Sequence, residues 1–551
     1  MTRPAGLAPE MTDMVVQTLK QVSQRELPDE RVLELDQQDV FPHDLIEKLL
    51  SPDVGLHLIF LPESAGGLGG GARDICRVSE EMAAVDLGVA TAFLAICLGT
   101  DPIVVGGTDE QKQEWLTRIA GGLIVAYGVT EPEAGSNVAA LKTTAEPITD
   151  TGGEVTAYRL NGAKQWITNG GVADLYTILA KTPGGPSFFI VEKGIEGLTV
   201  GKKEEKHGIR ASNTASVILE DAEVPVANLV GGVEGEGLKQ ANAVFGYTRL
   251  MVGAFGLGCG QSAIDRALTY GKERIQFGAP LVEKEGFLLK LIVPHWIDLA
   301  AGRAYAEDIA LRIDEGEQGL QVEGSVAKLW CTEAGNRAAD AAVQALGGYG
   351  YSREYMVEKI RRDVRITSIY EGTSEIQQSI IGVFRWKKTV STRGAFYEEM
   401  AADCDAMHAE AGDCGCDVVA AALRGLADVV LDAHRSKTVR HQIAQFLLAD
   451  VMCRCEVASS LSRKAARLRG ESAPDADLYA AMGRAFARQA MQAVLDAAHM
   501  VTGGFAEAGD TDAATRGCEL AQALAERLDP AALTGLWSDL AAVGDILKQR
   551  D

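Results

Sequence analysis

The sequence predicts an α+β multidomain protein: a helical N-terminal domain, a middle β domain of sandwich or barrel type, a helical C-terminal domain and an additional helical region beyond it. Three observations carry that reading. Apolar residues recur at three-to-four spacing at the N-terminus, yield to short β-branched and aromatic runs from about residue 123, and resume helical spacing from about Gly237 to the end. Strands and helices do not alternate regularly, which excludes a doubly wound sheet. The second half also repeats itself, as set out below.

In chain order, residues 1–122 form the N-terminal helical domain. Glu10 to Ser23, Arg73 to Asp86 and Asp109 to Ile119 each place apolar residues on one helical face, separated by Gly and Pro punctuation such as LPESAGGLGGG. Residues 123–236 form the β domain, where LIVAYGVT, YRLNG, LYTILA, SFFIVEKG and ASVILEDAEVP lie between Gly, Asn, Asp and Pro. Residues 237–385 return to helix, and residues 386–551 form the additional region. GFLLKLIVPHWIDLAAGRAYAEDIAL from Gly286 is answered by QFLLADVMCRCEVASSLSRKAARL from Gln445, and RAADAAVQALGGYGY from Arg337 by RQAMQAVLDAAHMVTGGF from Arg488. The FLL run lies 60 residues before the glycine pair in the first copy and 57 in the second. Equal order at near-equal spacing predicts a partial duplication of a helical bundle; two Ala-rich helical stretches alike by composition are the alternative.

Composition narrows the functional classes. The 551 residues include 77 Asp+Glu against 53 Lys+Arg, a formal net charge of −24. That balance argues against nucleic acid as a partner, because such binding draws on clustered Lys and Arg. Ten cysteines are scattered without the density of a disulfide scaffold, which fits a reducing compartment. Cys414/Cys416 and Cys453/Cys455 lie apart on a helix face at i, i+2, and no His–Cys spacing completes a tetrad, so no metal is expected. The N-terminus lacks an apolar signal core, and no run of 18 uninterrupted apolar residues occurs, so the expected location is cytoplasmic.

Two glycine-rich stretches invite a nucleotide-binding reading. Gly67-Leu68-Gly69-Gly70-Gly71-Ala72 and Gly256-Leu257-Gly258-Cys259-Gly260 both lie in helical surroundings, without the strand that a dinucleotide fingerprint requires. Close backbone packing is the better reading of each. Chemistry is expected elsewhere. Tyr127 to Asn137 (YGVTEPEAGSN) ends the first strand and turns at Pro132, Gly135 and Ser136, offering backbone N–H groups and hydroxyls to a heterocycle or phosphate; a plain surface turn is the alternative. In NGAKQWITNGG, strand alternation puts Trp166 and Thr168 on one face, an indole to stack and a hydroxyl to donate; a core tryptophan is the alternative. In RRDVRITSIYEGTSEIQ, Glu371 precedes a Gly-Thr-Ser turn in which Thr373 or Ser374 caps a helix, and such a carboxylate serves as a general base if burial raises its basicity; a solvated loop carboxylate is the alternative.

Taken together, LPESAGGLG, YGVTEPEAGSN, LNGAKQWITNGG, KHGIRASNTASVILEDAEVP, ERIQFGAPL, QALGGYGY and RRDVRITSIYEGTSEIQ, in that order, resemble the acyl-CoA dehydrogenase family over residues 30–385. The resemblance implies a helical domain, a β domain and a four-helix bundle, with FAD as cofactor. Glu371 is then the base that takes the α-proton of an acyl-CoA thioester while the β-hydrogen leaves as hydride to the flavin. Tyr127, Val129, Thr130, Gly135, Ser136, Trp166 and Thr168 match flavin contacts, and Arg274, Gln276, Phe277, Gln344, Gly347 and Gly348 match the part of the FAD site contributed by a neighbouring subunit. Thr373 and Glu375 match contacts to the adenosine end. Ser136, Arg249, Tyr370 and Gly372 match the substrate side.

Lys284 and Glu285 depart from the family pattern, which has an aromatic or His and then Gln there. Thr248 stands where some branched-chain members carry their base, which leaves Glu371 as the candidate. The region from 386 resembles the extension of very-long-chain acyl-CoA dehydrogenases, which implies a homodimer in place of the usual tetramer. Residues 385–551 carry 19 basic and 24 acidic residues, a net −5, leaving −19 on the remainder. Its basic runs Arg435–Arg440 and Arg463–Arg469 are candidates for peripheral contact with an anionic membrane, with solvated helix faces as the alternative. An electron-transfer flavoprotein is the implied electron acceptor. The rival readings are an acyl-CoA oxidase, which usually carries an Asn-containing variant after the Glu-Gly, and a non-catalytic assembly scaffold, against which retention of Glu371, Trp166 and Thr168 counts.

Overall fold

A computed structural model describes residues 6–505, 511–526 and 534–550. The first helices are α1 (Pro9–Glu26), α2 (Asp29–Gln38), α3 (His43–Leu50), α4 (Ala72–Val85), α5 (Leu87–Gly106), and the short α6 (Asp109–Gln111) and α7 (Thr117–Ala120) either side of a π-helical turn. Strands β1 (Val125–Gly128), β2 (Thr144–Thr149), β3 (Val155–Thr168), β4 (Leu175–Thr182), β5 (Gly185–Glu192), β6 (Leu198–Val200) and β7 (Thr214–Pro225) follow. Next come α8 (Gly237–Glu273), a hairpin of β8 (Ile275–Gln276) and β9 (Ala279–Pro280), α9 (Glu285–Phe287), α10 (Val293–Asp314), α11 (Gln321–Leu346), α12 (Met356–Val364) and α13 (Ser374–Ser391). The chain closes with α14 (Ala395–Ala411), α15 (Cys416–Arg435), α16 (Gln442–Gly470), α17 (Ala476–Thr502), α18 (Thr511–Glu526) and α19 (Leu536–Gln549).

Two compact units result. The first comprises Met1–Cys259, Ala310–Gln318 and Arg353–Thr367. Its core helix is α5, which is long and apolar enough to cross a membrane yet is mostly buried against protein and contains Asp101 and Pro102. Asp86 caps α5 by accepting from Val89 N at 2.7 Å, and it also binds the fully buried Lys359 of α12, which reaches Asp363 at 2.5 Å. Burial alone would push the Lys359 ammonium down; the two carboxylates overcome it and hold the group well above the ordinary lysine range. The glycine-rich stretches are packing sites. A Cβ on Gly67 would stand 2.1 Å from the Leu61 carbonyl oxygen, and one on Gly258 would stand 2.1 Å from that of Glu80. The backbone N–H groups of Ala72 and Arg73 at the start of α4 are taken by the Asp314 carboxylate, at 2.6 and 3.1 Å.

The seven strands share one hydrogen-bonded sheet in the order β1-β4-β2-β3-β7-β6, and β5 pairs with β4 off that path. β1 pairs parallel with β4, while β3 and β7 pair antiparallel over most of their length. β4, an almost unbroken apolar run, is buried along nearly all its length, as a strand paired on both sides and covered on both faces must be.

The second unit comprises Gly260–Ile309, Gly319–Ser352 and Ser368–Asp551. The self-similar segments occupy matching helix pairs, α10 with α11 and α16 with α17, and each pair ends at its glycine pair, Gly347-Gly348 or Gly503-Gly504. The additional region is not a separate body. The boundary set at 385/386 falls inside α13, because Arg385 is buried at the meeting of helices from both sides of it. Its guanidinium donates to both Glu456 oxygens, at 2.8 and 2.9 Å, and to Glu323 at 2.8 Å, while the Tyr305 and Tyr397 hydroxyls reach the same Glu456. The basic run at Arg463–Arg469 is largely spent internally: Arg463 pairs with Asp308, Lys464 with Glu307, and Arg469 donates to the carbonyls of Ala411 and Asp413. That run is unsuited to a membrane surface. Arg435, Lys437 and Arg440 are exposed.

Candidate active site

The first group of candidate residues gathers at the ends of β1 and β3. Gln165 N donates to Thr130 O at 2.9 Å, which brings the segment carrying Tyr127, Val129 and Thr130 beside the one carrying Trp166 and Thr168. β3 has a bulge there: register against β7 shifts between Lys164 and Ile167, and Trp166 adopts φ 61°. One extra residue inverts the alternation. Lys164 and Ile167 are buried, and Trp166 turns outward with Thr168, leaving the indole 60% exposed. This excludes the core reading of Trp166.

A buried ion pair supports this edge. Lys164 is fully buried and donates to Glu131 Oε1 and Leu179 O, both at 2.6 Å. The Glu131 carboxylate also accepts from Lys142 N at 2.6 Å, Thr143 N at 3.1 Å and Thr143 Oγ1 at 2.6 Å. Burial pushes Lys164 down to about 8 despite the carboxylate, so the pair is ionised at neutral pH. Glu131 and Ala134 close a tight turn by reciprocal backbone bonds of 3.1 Å, from which Gly135 and Ser136 project into solvent. A Cβ on Gly135 would meet nothing within 4 Å. An exposed indole face, a neighbouring hydroxyl and an open glycine-serine turn fit a flat heterocycle carrying phosphate. Arg249, on α8, is half-buried in the same unit.

The second group lies in the other unit, on the turn between the 3₁₀ segment Arg365–Ser368 and α13. Glu371 and Gly372 are both left-handed, with φ 54° and 86°. Thr373 caps α13 by accepting from Ile376 N, and Ser374 Oγ donates to Glu333 of α11 at 2.6 Å. Tyr370 and Glu371 are half-buried, Glu375 exposed. Two residues hold this turn: Lys328, outside every motif, and Gln377, the last residue of RRDVRITSIYEGTSEIQ, to which no role was assigned. The fully buried Lys328 of α11 donates to Gly372 O at 2.8 Å, and the fully buried Gln377 donates to Glu371 O and Gly372 O, each at 3.1 Å. The sequence signal for Lys328 was a lysine set among apolar neighbours in SVAKLW.

A third group forms an exposed patch in the same unit. Phe277 at the β8–β9 hairpin is 95% exposed, Gln276 is exposed beside it, and Arg274 lies over the ring of Tyr349, which follows the exposed Gly347 and Gly348. Gln344, on the last turn of α11, accepts from Gly347 N at its carbonyl. Lys284 folds back toward the Phe277 carbonyl of the preceding hairpin, at 3.5 Å.

The acyl-CoA dehydrogenase N-terminal, middle and C-terminal domain families match residues 9–123, 126–222 and 235–384. An acyl-CoA dehydrogenase of Bacillus subtilis is 39% identical over 360 residues, 64% of this chain and 91% of that protein. The chain belongs to the acyl-CoA dehydrogenase family. It is an oxidoreductase by that membership. A chain in a structure described as the electron transferring flavoprotein of Acidaminococcus fermentans is 33% identical, with a TM-score of 0.63 over 68% of this chain and 97% of that one. The family matches end at residue 384. A Bacillus anthracis acyl-CoA dehydrogenase crystallised with FAD covers 100% of this chain and 98% of its own, with a TM-score of 0.83 at 24% identity, so this family member shares its fold along the whole length.

Proposed function

We propose that the protein is a FAD-dependent acyl-CoA dehydrogenase that converts an acyl-CoA thioester to the trans-2-enoyl-CoA, with Glu371 as the base and an electron-transfer flavoprotein as acceptor. Bound FAD supplies the acceptor for the β-hydrogen, which leaves as hydride. The observation that carries the reading is the Glu371 turn. A carboxylate-bearing residue is held left-handed there, immediately before a capped helix, by a buried lysine and a buried glutamine. Backbone strain of this kind persists where the surroundings over-determine it, and it gathers at working sites.

The α-proton of a thioester is too weakly acidic for an unaided carboxylate. The Glu371 backbone N–H is assigned to the thioester oxygen, where it stabilises charge as the enolate develops. An acyl chain covering the carboxylate removes water from it and raises its basicity. Trp166, Thr168, Tyr127, Val129 and Thr130 would hold the flavin ring and Ser136 the phosphate. The exposed Phe277 hairpin supports a homodimer in which Arg274, Gln276, Phe277, Gln344, Gly347 and Gly348 complete the partner's FAD site. Thr373 and Glu375 would meet the adenosine end of FAD. Arg249, Tyr370 and Gly372 line the substrate side. Lys437 and Arg440, beside an Arg435 paired with Asp432 at 3.3 Å, are the exposed basic groups offered to an anionic membrane.

Anaerobic titration with butanoyl-, octanoyl- and palmitoyl-CoA tests the assignment. The flavin bleaches with at least one of them, Glu371→Gln keeps FAD yet does not bleach, and bleaching undiminished in that variant refutes the base. Turnover that requires oxygen and releases hydrogen peroxide makes the protein an oxidase instead.

A further inference from the structure

Burying an ammonium is costly unless a charge or good acceptors compensate. Lys328 sits on α11 between Ala327 and Leu329, is wholly inaccessible, and directs its Nζ at the carbonyl of Gly372, 44 residues away along the chain. A methionine would fill the same volume without that cost. At this turn the ammonium gives one peptide group a fixed direction. Gln377, reaching back from α13, donates to the same carbonyl and to the preceding one, so two donors from two helices converge on the peptide units that follow Glu371. Ser374 ties the far end of the turn to Glu333, five positions after Lys328 on α11. With both carbonyls held and both residues left-handed, the directions of the Glu371 backbone N–H and of its Cα–Cβ bond are set by α11 and α13 rather than by the turn alone.

We infer that Lys328 is a positioning residue for Glu371: its buried ammonium, with Gln377, clamps the Glu371-Gly372 turn so that the carboxylate meets the substrate α-proton in a fixed geometry. The inference rests on the reading of Glu371 as the base. It differs from a packing role in its consequence, because loss of the ammonium slows proton removal in molecules that are folded and carry flavin.

The test uses the full-length holoenzyme with its flavin reduced beforehand by dithionite, so that no hydride leaves the substrate and α-proton exchange is read alone. Loss of deuterium from [2,2-²H₂]butanoyl-, octanoyl- and palmitoyl-CoA is followed by mass spectrometry. Lys328→Met lowers exchange with the best of these, and kcat under turnover, by about 100-fold, the effect of misplacing a reacting group by about 1 Å. FAD content and KM stay within about twofold of wild type. Gln377→Leu, which leaves the ammonium in place, gives a fall of the same kind, and the double variant falls by less than the product of the two. Exchange per flavin-loaded molecule unchanged in Lys328→Met overturns the inference. If Lys328→Met does not fold, an unchanged rate in Gln377→Leu overturns it. Glu371→Gln separates the two levels: if it still exchanges, or if wild type exchanges none of the three thioesters, the base assignment fails and takes the clamp with it. If Glu371→Gln is silent and Lys328→Met exchanges like wild type, the clamp alone fails.

Discussion

Trp166 in the first unit and Glu371 in the second are built on one plan with opposite wiring. Each is a non-glycine residue held left-handed, with φ 61° and 54°, and each has a fully buried lysine nearby. At Trp166 the lysine is local, two positions earlier in the same strand, and is neutralised by Glu131. At Glu371 the lysine comes from another helix and donates to a peptide carbonyl. The difference separates two jobs for a buried cation. One cancels a charge and holds an edge of sheet; the other aims a backbone. Energetics should follow at the two acceptors: removing Lys164 strands the Glu131 charge, whereas removing Lys328 leaves the Gly372 carbonyl with Gln377 still donating to it.

The largest effect is therefore expected at Lys164. Lys164→Met should cost about 3 kcal/mol in denaturant unfolding, the range for breaking a buried pair, because the Glu131 carboxylate stays buried. pH sharpens the point. Burial brings Lys164 down to about 8 in the folded protein against 10.5 for a free lysine, so between those values the unfolded chain binds the extra proton and stability rises with pH. The gap between wild type and Lys164→Met should widen from pH 8 to 10; a flat gap would show that Lys164 is not depressed.

Next in size is Gly372→Ala. Gly372 has φ 86°, and a Cβ there would approach Gln377 Nε2 to 2.7 Å, so strain of about 1–2 kcal/mol adds to displacement of one arm of the clamp. Thermal melting should fall by a few degrees, and α-proton exchange by far more than the lost stability explains. Lys328→Met should cost less stability than Lys164→Met, about 1–2 kcal/mol, since Gln377 still serves the Gly372 carbonyl. Equal losses at the two lysines would erase the distinction drawn between them.

The same contrast explains what the sequence made legible. The α, then β, then α order follows from periodicity, and runs as apolar as LYTILA and SFFIVEKG became β4 and β5. β2 and β6, lying in TAEPIT and LTV, lack an apolar alternation and depend on pairing with β3 and β7. Trp166 and Thr168 share a face, as alternation predicts, but only the bulge decides that this face points outward, and no local residue preference encodes a bulge opposite β7. YGVTEPEAGSN and IYEGTSEIQ could be read directly because their working residues are contiguous. Lys328 could not be assigned to Glu371, since that relation exists only once α11 lies beside the turn, and Gln377, though inside the motif, carries no sign that its side chain turns back to the two carbonyls. For the same reason the junction at Arg385 looked like a boundary: its partners, Glu323 and Glu456, lie 62 and 71 residues away.

The smallest expected change in stability belongs to Trp166, and it bears most directly on what the first unit is for. A large side chain at φ 61° is strained where glycine would not be, and an indole 60% exposed recovers little by burial. Trp166→Gly should therefore leave unfolding stability unchanged or raise it by about 0.5–1 kcal/mol. If the indole is kept to stack on a flavin, the same variant should release FAD at least about tenfold more readily, a loss of about 1.4 kcal/mol measured by flavin fluorescence on dilution. A fall in stability with unchanged FAD affinity would make Trp166 a structural residue of the bulge. A neutral or positive change in stability joined to a loss of FAD means that the bulge exists to present the ring, since a strained residue that contributes nothing to folding is retained for what it binds.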